Sequence, residues 1–152
     1  MKILDALKPE AIVADLKSQD KIGILEELAT PVARIANVDT EQIVRVLRER
    51  ERLGSTGIGG GIGIPHGKLK ALENLVLGFG ISHQGVDFES MDHRPTHIFF
   101  LLITPENSTG LHLKVLARIS RILKNEPFKD RLMAASGVDE LYNILAEEDE
   151  DF

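Results

Sequence analysis

Apolar positions along the chain fall into stretches of helical and of strand period. Ile22, Leu25, Leu28, Val32 and Ile35 recur at helical spacing behind Asp20, so a capped helix is expected from Asp20 to about Ala36. Pro31 lies inside that run and should kink or split it. Ile43, Val46 and Leu47 mark a second helix opened by Asp39, with Gln42 at capping-box spacing. Residues 11–16, after Pro9, read as a first strand, and residues 74–81 as a strand whose glycines suggest an edge. Residues 84–87 suggest a turn. Residues 96–104 form the most continuous apolar run, expected as a central strand buried on both faces. Leu111, Val115, Leu116, Ile119, Ile122 and Leu123 give a helix from Ser108 or Thr109 to about Lys124, with Lys114, Arg118, Arg121 and Lys124 on its polar face. Short helices are expected from Pro127 and from Asp139, parted by Gly137. The acidic run over 147–151 reads as a frayed, solvated tail.

Three features do not fit this pattern of packing faces. The first is the stretch 54–68, which holds six of the 13 glycines within ten residues and then runs through Ile62, Ile64 and Pro65 to His66 and Gly67. Its alternation predicts a short strand at 62–64 that Pro65 ends, with His66 presented beside little side-chain bulk. Glycine amides in such a row can point at one anion. The dinucleotide pattern G-x-G-x-x-G fails in every frame, and Gly67-Lys68 lacks the first glycine and the hydroxyl of a Walker motif. A glycine-rich hairpin with an incidental histidine is the alternative. The second feature is Arg50, which shares the inward side of its helix with Ile43 and Val46, while Arg45, Arg48 and Arg52 face away. Either it meets a partner, or the helix has frayed and the side chain snorkels to water. The third is His112, which projects between Ile119 and Leu123 in the first helical turn. It is either a hydrogen-bonded core residue or part of a site.

Charge and composition narrow the classes. The 152 residues fit one domain, 43% hydrophobic and 28% charged, with net charge −6. No basic stripe with aromatics appears, so nucleic acid is not an expected partner. No apolar run reaches the ~20 residues of a membrane span, and the start lacks a signal-peptide core, so a cytoplasmic location is expected. There is no cysteine, which excludes disulfides and thiol chemistry. His93 and His97 are four apart, but Pro95 between them rules out helical metal-ligand spacing; with His83 they read as surface or strand-end residues.

An arginine and a histidine on inward helix faces, with a second histidine in a glycine-rich stretch, suit phosphoryl chemistry. A neutral imidazole attacks phosphorus well, and positive groups stabilise the charge on the transferring oxygens. Arg50 can clamp those oxygens, His112 can donate an N–H, and Ser55, Thr56 and the glycine amides, Gly67 among them, can add donors. The run from Arg50 to Gly59 and then from Gly61 to Lys68 resembles the enzyme IIA domains of the bacterial phosphotransferase system, mannitol/fructose type and within it the nitrogen-regulatory branch. The likeness extends to the helix from Gly110 to Leu123 and to Asp139–Tyr142. It implies an α/β fold with a mixed sheet of about five strands and helices on both faces, as one IIA domain over 1–152. It further implies that His66 is the residue phosphorylated on Nε2, that Arg50 and His112 surround the phosphoryl group, and that the donor is the phosphohistidine of the small phosphocarrier protein. Downstream stands a regulatory target or a IIB domain. No cofactor, metal or nucleotide is implied.

Overall fold

The computed structural model describes residues 1–150. A 3-10 turn (Ile3–Asp5) leads into β1 (Leu7–Val13), then α1 (Lys21–Ala36) and α2 (Thr40–Arg52). The glycine-rich stretch makes β2 (Gly57–Gly59), β3 (Ile62–Gly63) and β4 (His66–Leu69). Two long strands come next, β5 (Val76–Val86) and β6 (Thr96–Pro105), and then α3 (Thr109–Ile122), α4 (Glu126–Ala134) and α5 (Val138–Glu148). The sheet order is β1-β5-β6-β3-β2, with β4 also paired to β6. β3 and β4 lie end to end along β6, at Ile98–Phe99 and at Leu102–Pro105, so six strands fill five positions. β1 is parallel to β5, β5 antiparallel to β6, and β3 and β4 parallel to β6, which makes the sheet mixed.

Strand alternation assigns the two faces. A Cβ on Gly78 would lie 2.8 Å from Val32 Cγ2 of α1 and 3.5 Å from Leu101, so these residues share the α1 face. Gly67 of β4 faces α2, because a Cβ there would collide with Val46 Cγ1. Thr104 has the opposite parity to Leu101 in β6, and it bonds His112 of α3. α1 and α2 therefore cover one face, and α3 covers the other.

Several sequence expectations are corrected. β5 lies between β1 and β6 and is not an edge. Its glycines are there because α1 presses on them: a Cβ at Gly80 would stand 2.8 Å from both Leu16 and Leu28. The turn expected at 84–87 is a bulge, with Gly85 at φ 83° and the register shifting between Ile81 and Val86. The first strand starts at Leu7 and includes Pro9. Proline is tolerated there because β1 is a sheet edge and its register shifts between Leu7 and Ile12. Pro31 does not split α1, which buries Leu28, Ala29, Val32 and Ala33 around it. The helix is capped as expected by Asp20, which accepts from Gly23 N at 2.7 Å, and it ends on Asn37 in the left-handed region. Asp39 sits at the N-cap of α2, but its side chain makes no cap bond, so the capping box does not form.

The chain end also differs from expectation. Arg118 is buried at 6% exposure and pairs with Glu150 at 3.5 Å, so it is not on a solvated face. Asp149 accepts from Ile3 N and Leu4 N, both at 2.8 Å, and Glu147 pairs with Arg131 at 2.6 Å. The acidic run is thus tied to the N-terminal turn, to α3 and to α4; Asp151 lies outside the described residues.

The close approach at Gly67 sets the spacing between β4 and α2. Replacing Gly67 by alanine would force the two apart, and we expect Gly67→Ala to cost roughly 1–3 kcal/mol, as overpacking does. Urea denaturation of the two proteins measures it; equal stability would mean that Val46 is free to move aside.

Candidate functional site

The site is built by β4, by the first turn of α3 and by the end of α2. Since Gly67 faces α2, its neighbours His66 and Lys68 face α3. The His66 and His112 rings stand edge to face, with centroids 5.4 Å apart. Lys68 donates from Nζ to Thr109 Oγ1 at 2.7 Å, which places its charge at the start of α3.

His66 Nδ1 lies 2.7 Å from the carbonyl oxygen of Ile64. A carbonyl only accepts, so Nδ1 carries the proton and Nε2 holds the free lone pair. Burial holds the ring's pKa below the ordinary histidine value, and the Arg50 charge lowers it further; the Ile64 carbonyl and the Glu51 carboxylate work the other way. The ring is neutral at pH 7, as a nucleophile must be.

His112 is 5% exposed, and its Nδ1 is 2.7 Å from Thr104 Oγ1, itself fully buried. Leaving either atom unpaired there would cost about 1–3 kcal/mol. Burial, with the charges of His66 and Lys68, pushes the His112 pKa down to about 4. The ring is therefore neutral and has one N–H to give.

Arg50 is half-buried and donates from Nη1 to the Gly54 carbonyl at 2.8 Å. The helix has not frayed, since α2 runs to Arg52. His66 and His112 are thus brought together from β4 and α3, and Arg50, in the last turn of α2, is near enough for its charge to act on His66. Ser55 and Thr56 are placed differently. Ser55 Oγ donates to the Phe88 carbonyl at 2.7 Å, and the Thr56 hydroxyl donates to Glu51. Each hydroxyl has one proton and gives it to a protein oxygen, so neither has one left for a phosphate. Gly67 is required by the approach of Val46. His83 and His93 are exposed, and His97, the second residue of β6, is half-buried and donates from Nδ1 to the Ser82 carbonyl at 2.8 Å.

The triple glycine forms the tip of the β2–β3 hairpin, with φ of 93°, 66° and 80° at Gly59, Gly60 and Gly61. It is clamped from outside. Gly60 N donates to Asp92 at 3.0 Å, and Gly60 O accepts from Lys129 Nζ at 2.9 Å. Lys68, Thr104 and Glu51 were missed in the sequence. Alternation with His66 could have flagged Lys68; nothing in a continuous apolar strand flags Thr104. Among the described residues no three histidine, aspartate or glutamate side chains gather as metal ligands, and no helix is long and apolar enough to cross a membrane.

The family model for the "Phosphoenolpyruvate-dependent sugar phosphotransferase system, EIIA 2" matches residues 5–148. The chain belongs to this family. It is 40% identical over 146 residues to a nitrogen regulatory protein of Bradyrhizobium diazoefficiens, covering 96% of this chain and 95% of that one. It is also 33% identical over 150 residues to the fructose-specific EIIABC component of Bacillus subtilis, covering 98% of this chain but 24% of that protein. The crystal structure of nitrogen regulatory protein IIA-Ntr from Neisseria meningitidis superposes with a TM-score of 0.88 at 31% identity, covering 93% of this chain and 97% of that one. The mixed α/β fold and the family expected from the stretch 50–68 are borne out.

The buried imidazole gives a pH test. With its folded pKa near 4 and an unfolded value near 6.5, His112 binds a proton in the unfolded chain first. Its contribution is full above about pH 6.5 and is lost as pH falls toward 4. We expect the His112 NMR titration midpoint near 4, and a shallower loss of stability over that window in His112→Gln. A midpoint near 6.5 would contradict the burial.

Proposed function

We propose that this IIA domain accepts a phosphoryl group on Nε2 of His66 from the phosphohistidine of the small phosphocarrier protein, and that it acts in nitrogen-type regulation in the cytoplasm. The observation that carries the reading is the Ile64 carbonyl on Nδ1, which leaves Nε2 as the nucleophile. In the transfer the Nε2 lone pair forms the new N–P bond. The donor's N–P bond breaks, and its electron pair returns to the donor ring. The His66 ring becomes cationic while keeping its Nδ1 proton, so its bond to Ile64 O strengthens as the reaction proceeds. Charge on the equatorial oxygens is met by the Arg50 guanidinium and the Lys68 ammonium, and by the one N–H of neutral His112 when Thr104 donates to its Nδ1. No cofactor or metal enters this scheme.

The likeness to nitrogen regulatory proteins over nearly the full length of both chains supports the regulatory role. There the phosphorylation state of His66 would alter binding to a target protein. The second reading is a fructose/mannitol-type IIA component that passes phosphate to a IIB domain; the match to the fructose-specific protein favours it, though the two share only one part of that longer chain. Neither reading requires nucleic acid or membrane insertion.

Incubation with phosphoenolpyruvate, the first enzyme of the system and the phosphocarrier should yield an acid-labile, base-stable phosphate that His66→Ala abolishes. Arg50→Lys should label at least about tenfold more slowly, because an ammonium cannot make the bidentate contact. His112→Ala should slow transfer without preventing folding. Label that persists in His66→Ala would place the phosphate elsewhere.

A further inference from the structure

Glu51 is a carboxylate where stability alone would not put one. It lies in the last turn of α2, where the helix dipole favours cations, and its side chain is 6% exposed. Its Oε1 accepts from Thr56 N at 3.1 Å and pairs with Lys21 Nζ at 2.9 Å, and its Oε2 accepts the Thr56 hydroxyl. Buried pairs of this kind are often no more stable than apolar replacements. The bonds instead close a short loop. Arg50 holds the Gly54 carbonyl, and two residues further on Glu51 holds both the amide and the hydroxyl of Thr56. Gly54 itself sits at φ 139°, with no atom within 4 Å of where its Cβ would be, so no side-chain packing fixes that position.

We propose that Glu51 is a positioning residue: by pinning Thr56 it fixes the Gly54 carbonyl, and so aims the Arg50 guanidinium at the phosphoryl group on His66. This rests on the phosphoryl-carrier reading given above. The same carboxylate does a second thing. Its charge opposes that of Arg50 at His66, raising the basicity that Arg50 and burial lower. When the ring turns cationic in the transfer, Glu51 is the carboxylate that acts in its favour. Burial and the Arg50 charge act against a cation there.

Three variants test this in the full chain. Glu51→Gln keeps the size and loses the charge. Thr56→Val keeps the amide and loses the hydroxyl. Thr56→Ser restores the hydroxyl. Glu51→Gln should label at least about tenfold more slowly, as misplacement of a catalytic group does, and the NMR titration of His66 should move to lower pH. Thr56→Val should also slow labelling while leaving the His66 titration near wild type, and Thr56→Ser should recover the rate. If Glu51→Gln fails to fold, the Thr56 pair decides. A lower melting temperature with unchanged labelling and an unchanged His66 titration would make Glu51 a structural residue only and would overturn the proposal. Wild-type protein that takes no label would instead remove the carrier reading itself.

Discussion

The methyl group of Val46 occupies the space a side chain at 67 would need. That contact decides which way β4 faces. With Gly67 turned to α2, the period of two leaves no choice for His66 and Lys68: they point at α3. A shift of one residue would bury Lys68 against α2 and send His66 to the wrong layer. The ladder with β6 holds the register, pairing His66 with Leu102 and Lys68 with Thr104. Because Thr104 also reaches His112, the same strand that aligns β4 sets the second imidazole.

The site residues show which signals a sequence carries. Arg50 and His112 were legible because they broke a helical pattern: a polar group fell where an apolar one belonged. His66 was legible because glycine and proline around it departed from any packing rule. Thr104 was not, since a threonine at the end of a buried strand looks like any β-branched residue there. Glu51 was not, since at the end of an arginine-rich helix it reads as one more surface charge. Ser55 and Thr56 misled for a related reason. A hydroxyl near a glycine loop looks free in sequence, and only the fold shows that Phe88 and Glu51, 33 and 5 residues away, already take their protons.

The fold itself was legible where one element explained its own pattern. The run 96–104 and the helix behind Asp20 appear nearly as their periods imply. Failures occurred where the cause lay in another element. Gly78 and Gly80 read as edge signals because a helix pressing on a sheet leaves the same mark as an exposed edge: no side chain. Gly85 read as a turn because a bulge also needs positive φ. The acidic end read as a tail because its partners, Ile3, Leu4 and Arg118, stand far from it along the chain.

The proposed carrier must accept a phosphoryl group and give it up again, and the charges around His66 bear on both steps. Cations favour the dianion but disfavour the cationic ring that holds it. With burial and Arg50 alone, the imidazole would stay neutral and nucleophilic, yet resist the positive charge it gains. The Ile64 carbonyl and the Glu51 carboxylate face the ring from the other side of that balance. Neither touches the phosphate in the proposed transfer. Both act on the ring: the Ile64 carbonyl does so alone, whereas Glu51, in the proposed arrangement, also sets the guanidinium that holds the oxygens, so only a change at Glu51 alters both steps.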